Sequence, residues 1–355
     1  MNAYPVTDPS KLEMVLFDAG LIQKVPLAEI YDVKAGTSAQ RASIDPEACR
    51  VKPDVHKPDD WGNELWANTR WEWFAYVLRD CQRVLDVGCG EGRPSLYLSH
   101  RLPGVVGIDI SPANIALARN TARCVGLGRV SFEVGDIGNL PFPDASFDGV
   151  CFGGNVFTYQ FDVPRMLQEI HRVLRPGGPF AFEQWPVDPD TPAHERIMWF
   201  IDGGPPIVHY NAGQGLQDRS YFIYIKPDSP QGQRLSQLAT RMSGLLSEQQ
   251  RRACEEVVDE IREGNVGIVE RATYSGEYRS IAATELPQLL TGAGFADLTY
   301  WAVPDGRAFA ESLQQSGVLD RLMQDDLLPY LRALVASSPR IDRWVEQVTC
   351  RKAQS

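Results

Sequence analysis

Three acids and three glycines carry the chemistry this sequence offers. Asp86 closes the apolar run "RVLDV", and Gly88, Gly90 and Gly92 alternate through the turn that follows. Asp109 stands in "VVGIDI", 21 residues after Gly88, and Asp136 stands in "VGDI". Glycines so spaced let a backbone approach a ligand closely, and a carboxylate can accept hydrogen bonds from paired hydroxyls or an amino group. Two phosphate-binding readings fail on residue type. The nicotinamide-dinucleotide fingerprint needs a glycine five positions after its first, where this chain has Arg93. Asp86 would also repel an anionic pyrophosphate. A P-loop needs a lysine followed by Ser or Thr after its glycines, and "GEGRPS" contains no lysine.

The elements that must hold these residues alternate strand and helix from about residue 83 to 185. The runs "RVLDVGC", "GVVGIDI", "VSFEVGDI", "FDGVCFGG" and "PFAFEQW" read as strands; "PSLYLSHRL", "SPANIALARNTARCVG" and "VPRMLQEIHRVL" read as helices. This is the pattern of an α/β, doubly wound, mostly parallel sheet, in which ligands bind at the carboxyl ends of strands. The three acids then end three successive strands. Asp86 suits a cationic group, Asp109 can take both hydroxyls of a ribose, and Asp136 can accept from an adenine amino group. Together they describe a nucleoside with an amino-acid tail, S-adenosylmethionine (SAM).

The same stretches resemble the core of class I SAM-dependent methyltransferases, particularly the small-molecule branch. "VLDVGCGEG" is similar to the family's first motif and "VVGIDIS" to its ribose motif. "GDIGNLPFPDASFDGV" is similar to its adenine loop and following strand, and "LQEIHRVLRPGG" to its later helix and turn. The four blocks fall in order at the family's spacing. The resemblance implies a Rossmann-like sheet of the seven-stranded type, with cofactor contacts from Asp86, Gly88, Gly90, Asp109, Ile110, Asp136 and Ile137. It also implies that "TELPQLLTGAGF" and "VTCRKA" complete the sheet, and that Asp148 in "SFDGV" is a structural partner.

Outside that core the expected organisation is a wrapping segment over 1–55, a core over 56–185, an inserted α+β substrate lid over 186–283 after the fifth strand, and a C-terminal completion over 284–355. The insertion is too long for a bare loop. It carries His194 and His209, the candidate general bases for a poor nucleophile. Tyr210 and Tyr221 are candidate substrate-binding aromatics there, able to cover an apolar acceptor or cradle an amine. Asn155 and Tyr159, just past the fourth strand, are expected to face the acceptor. Trp66, Arg70 and Trp73 share a helical stripe ahead of the first strand, and Arg70 is a weaker candidate for the cofactor's carboxylate.

The totals constrain the rest. A net charge of −11 argues against nucleic acid as substrate, because phosphate contacts need a basic face. No apolar run reaches the ~18 residues of a membrane span, and the N-terminus lacks the form of a signal peptide. Seven cysteines without a CxxC pair suit reduced, mostly buried thiols, and no metal site is expected. The expectation is a cytoplasmic enzyme methylating an oxygen or nitrogen, or else a carbon or sulfur, of a small organic molecule; a homodimer is compatible with it. A macromolecular acceptor is the alternative within enzymes. A fold that binds SAM without transferring its methyl, regulatory or cyclase-like, is the alternative outside them.

Overall fold

A computed structural model of the chain describes residues 10–44, 71, 73–124, 126–154, 162–184, 189–201, 204–238, 248–282, 284–302 and 346–353. The chain divides into two compact units. One comprises Asp45–Val187 with Ile281–Ser355, the other Met1–Ile44 with Asp188–Ser280.

Along the chain, α1 (Lys11–Asp18), β1 (Ile22–Lys24) and α2 (Leu27–Ile44) come first. Then β2 (Val84–Val87), α3 (Arg93–Ser99), β3 (Val105–Asp109), α4 (Pro112–Cys124), β4 (Val130–Val134), β5 (Gly149–Phe152), α5 (Val163–Val173) and β6 (Pro179–Gln184) alternate. The inserted stretch forms β7 (His194–Ile201), β8 (Ile207–Gln214), β9 (Gln217–Ile225), α6 (Pro230–Leu238), α7 (Glu248–Arg262), β10 (Val269–Tyr274) and β11 (Glu277–Arg279). The chain closes with α8 (Leu286–Gly292), β12 (Phe295–Ala302) and β13 (Glu346–Lys352).

In the first unit seven strands lie in the order β12-β13-β6-β5-β2-β3-β4. The five strands from β6 to β4 are parallel, and β13 runs antiparallel to both β6 and β12. Strands β2, β3, β5 and β6 are buried along their whole length, as expected of parallel strands with both faces covered. That explains their continuous apolar runs. The core includes Leu85, Ile108, Phe147, Phe180 and Phe182 together with Met166, Leu167 and Ile170 from the apolar face of α5. Chain order reverses at β2: β3 and β4 build outward on one side, β5 and β6 on the other. Such a switch point opens a crevice at the strands' carboxyl ends.

The second unit is a sheet in the order β1-β10-β9-β8-β7, with β11 also pairing β9. Alternate residues of β8 and β9 feed two cores. Val208, Tyr210, Tyr221 and Ile223 pack with α1 and α7; Ile207, Phe222 and Tyr224 pack with Ile30 of α2. The N-terminal elements, expected to wrap the SAM-binding core, group with the insertion's sheet instead. The reason is specific chemistry. Ser10 and Glu13 form a capping box on α1, Glu13 meets the buried Arg219 at 2.6 Å, and β1 pairs in parallel with β10.

Candidate functional site

Burial of β2 on both faces carries Asp86 into the interior, where it is 1% exposed. Ser95, in the first turn of α3, donates its hydroxyl hydrogen to Oδ2. The other oxygen, Oδ1, is buried with no nitrogen or oxygen partner among the described residues. Burial pushes the Asp86 pKa up to about 7; Ser95 and the Cys151 thiol pull against that rise, while the Asp109 carboxylate adds to it. A buried acceptor lacking a donor costs free energy unless something supplies one. A cationic amine at this place would do so.

The turn after Asp86 takes its path from glycine. Gly90 has φ +55°, and a Cβ built on it would meet nothing within 4 Å, so the backbone here lies open to a ligand. Gly92 is different: an added Cβ would stand 2.7 Å from the Phe132 ring and 2.8 Å from Ala118, which makes it a packing glycine. Asp109 holds the turn from the neighbouring strand. Its Oδ2 accepts the Gly90 N–H at 2.8 Å and its Oδ1 the Ser111 N–H at 2.9 Å. Oδ1 also accepts from the Asn114 side-chain amide at 3.4 Å. Ile110 is half-buried beside it.

Asp136, past the end of β4, is exposed, and its Oδ1 accepts the Gly138 N–H at 2.8 Å. Ile137 next to it is buried. Because β2, β3 and β4 are neighbours, the structure brings Asp86, Asp109 and Asp136 to the carboxyl ends of three adjacent parallel strands. Gly88 lies in the same turn, and its missing Cβ leaves room for the Phe152 ring from β5. The arrangement fits SAM: a buried acceptor for the ammonium, an open backbone turn, a ribose acid and an exposed acid at the adenine end.

Asp148 is a tie between segments. Its Oδ2 accepts the backbone N–H groups of Gln82 and Arg83 at 3.1 and 2.9 Å, and Oδ1 pairs with Arg175. Glu183, which the sequence reading passed over, ends β6 fully buried; its Oε2 accepts the Gly154 N–H at 2.8 Å and its Oε1 a hydrogen from Gln347 at 3.3 Å. An acid inside the apolar run "PFAFEQW" was the available signal. Cys89 and Cys151 are buried, and burial raises both thiols well above their ordinary range, so neither is a thiolate.

The candidate acceptor-side residues in the described part lie in the second unit. His209 is 1% exposed, stacked on Phe222 with ring centroids 4.5 Å apart, and its Nε2 lies 3.0 Å from Ser220 Oγ. Burial, and after it the nearby Lys34 and Arg196 charges, depress its pKa well below the usual range. His194 is half-buried, 3.3 Å from Asp218 Oδ1. The two histidines are not brought together: His194 is in register with Gly213 and His209 with Trp199. Tyr210 and Tyr221, read as a substrate-facing wall, are each 1% exposed, and this needs correction. Their rings lie on the sheet face that α1 and α7 cover, where Tyr210 donates to Ser10 Oγ at 2.9 Å. Asn155, Tyr159, Trp66 and Arg70 lie outside the described residues.

Comparison with known proteins agrees with this geometry. Residues 84–178 match the family model described as a methyltransferase domain. A sterol 24-C-methyltransferase of Eremothecium gossypii is 38% identical over 131 residues, 35% of this chain and 35% of its own length. A demethylmenaquinone methyltransferase of Thermus thermophilus is 39% identical over 130 residues, 35% of this chain and 57% of its own. The shared stretch therefore spans about a third to just over half of these relatives. The solved structure of a SAM-dependent methyltransferase from Clostridium acetobutylicum superposes with a TM-score of 0.50 at 13% identity, covering 89% of this chain and 99% of that one, which shows a common fold. Residues 84–178 thus form a methyltransferase domain.

Proposed function

We propose that this protein transfers the methyl group of SAM to an oxygen or nitrogen atom, or else a carbon or sulfur atom, of a small organic metabolite. The observation that carries the reading is the set of three acids ending three adjacent strands, with Asp86 Oδ1 buried and lacking a nitrogen or oxygen donor. Bound SAM supplies a methyl on a sulfonium, which reacts by in-line displacement and leaves without negative charge. The protein's work is then to position the reactants and exclude water rather than to stabilise an oxyanion.

In this reading Asp86 accepts from the cofactor's ammonium, the open turn at Gly88 and Gly90 admits its amino-acid tail, and Asp109 accepts from the ribose hydroxyls. Asp136 and the apolar flanks of Ile110 and Ile137 take the adenine. On the acceptor side Asn155 and Tyr159 orient the substrate, and His194 or His209 removes a proton where the acceptor is a hydroxyl. Burial holds the His209 pKa well below its usual range, whereas Asp218 lies beside His194. Tyr210 and Tyr221 shape the unit that carries the histidines. The net charge of −11 supports an acceptor other than nucleic acid, and the reading places the protein in the cytoplasm.

The test is transfer of an isotope-labelled methyl from SAM to fractionated small metabolites, followed by mass spectrometry. Label appearing on one small molecule supports the reading. Cofactor binding with no transfer to any fraction would favour a protein that uses the fold without methylating.

A further inference from the structure

The stretch from 135 to 148, between β4 and β5, contains no helix or strand, yet it begins with the acid placed at the adenine. Backbone N–H and C=O groups in such a segment still need partners. Here one face of α5 provides them. Arg165, Glu169 and Arg172 stand at i, i+4 and i+7, on the helix face opposite the apolar residues Met166, Leu167 and Ile170 that enter the core. Arg165 Nε donates to the Gly138 carbonyl at 2.7 Å. Glu169 Oε2 accepts the Leu140 N–H at 2.8 Å. Arg172 donates to the Leu140 carbonyl at 2.9 Å and to the Phe142 carbonyl at 2.7 Å, while its Nε and Nη2 grip both oxygens of Glu169 at 2.8 and 2.7 Å.

Gly138 is thereby pinned from both ends. Its N–H goes to Asp136 Oδ1 and its carbonyl oxygen to Arg165. Two residues on, Leu140 is held through both its N–H and its carbonyl. The direction of the Asp136 carboxylate is set by this chain of contacts, because the side chain itself is exposed and nothing in its burial would fix it.

We propose that Arg165, Glu169 and Arg172 are positioning residues for recognition of the cofactor's base: they hold the loop so that Asp136 is preorganised to accept from the exocyclic amino group of a purine. The inference rests on the SAM reading above and assigns to three residues that act through the loop the discrimination between adenine and a purine that lacks its amino group. Arg172 cannot be exchanged for lysine here. The planar guanidinium divides its donors between two carbonyls and two carboxylates, Glu169 and, at 2.9 Å, Asp144, and a single ammonium with three donors on a flexible stem lacks that fork.

The experiment measures binding of S-adenosylhomocysteine and of its hypoxanthine counterpart, S-inosylhomocysteine, to the full chain. The variants are Arg172→Lys, Glu169→Gln, Asp136→Ala and the double variant Arg172→Lys/Asp136→Ala. Arg172→Lys is expected to weaken the adenine ligand about tenfold and the hypoxanthine ligand far less, so that the ratio between them collapses. Glu169→Gln, which keeps an acceptor for Leu140, should do the same more mildly. In the Asp136→Ala background Arg172→Lys should add little, because its effect passes through Asp136.

Amide exchange at Gly138 and Leu140 in the ligand-free variants reads the clamp independently of any cofactor, and it should speed up in Arg172→Lys. An unchanged base ratio, additive losses in the double variant, or unaltered exchange would each overturn the inference. If the wild type discriminates the bases and the variants do so equally, the clamp fails and the SAM reading stands. If the wild type binds neither nucleoside, the SAM reading fails, and the proposal with it.

Discussion

Replacing Asp86 by asparagine should make the ligand-free protein more stable at neutral and alkaline pH while removing its response to SAM. Burial lifts the Asp86 pKa from 3.8 to about 7, a rise of about three units. Each unit is worth about 1.4 kcal/mol, so keeping this carboxylate ionised costs the folded state up to about 4 kcal/mol. For an acid raised in the folded state, folding takes up a proton between pH 4 and 7. The wild type therefore loses stability as pH climbs through that window and has lost the full amount above it. Asparagine keeps the shape and still accepts from Ser95, but it carries no charge. Denaturant unfolding of both proteins without ligand, from pH 4 to 8.5, is the assay. The two curves should nearly meet near pH 4 and diverge with pH, the variant gaining a few kcal/mol by pH 8. Adding SAM at 100 times its dissociation constant should stabilise the wild type by about 2.7 kcal/mol and leave the variant unmoved. Parallel curves across the pH range, or a variant that still gains from SAM, would refute the reasoning.

Other outcomes follow from the second unit. His209, buried with its pKa well below the usual range, contributes stability that is present above pH 6.5 and lost as pH falls below it. His209→Gln should flatten that acid limb when unfolding of this unit is followed by amide exchange in β8 and β9. Glu13→Ala removes the carboxylate that meets the 4% exposed Arg219 at 2.6 Å, while Glu277 stands farther off at 3.5 Å. Breaking a buried pair from one side typically costs about 3–5 kcal/mol. Thermal denaturation of this variant should show a loss of about that size, with SAM binding by the other unit retained.

Much of the fold was legible because parallel strands buried on both faces write themselves as apolar runs, and because the acid ending each run had no packing reason to be there. "RVLDV", "VVGID" and "PFAFEQ" became β2, β3 and β6 for that reason. The places of Asp86 and Asp109 were readable in this way; Asp136 follows the largely exposed β4, and the contrast between the open Gly90 and the packed Gly92 emerges only from their neighbours. What the sequence hid was long-range. Nothing local in "SKLEMVLFD" says that Glu13 will meet Arg219 more than two hundred residues later, so the N-terminal helix could not be assigned to the insertion's sheet. Tyr210 and Tyr221 illustrate the same limit. Alternation along "SYFIYI" correctly separates two faces, but which face a helix covers is settled by α1 and α7, far away in the chain. Glu169 and Arg172 sat inside "VPRMLQEIHRVL", read only as a helix, where charged residues are ordinary, and it is the backbone of the loop beside them that gives those charges a task.

The central claim is that the glycine turn and its three acids hold SAM. The most direct measurement is calorimetric titration of the purified full chain with SAM and, separately, with NAD⁺. Saturable binding of one SAM per chain, displaced by S-adenosylhomocysteine and unmatched by NAD⁺, is the predicted result. No binding of SAM, or binding of NAD⁺ in its place, would contradict the account from the turn outward.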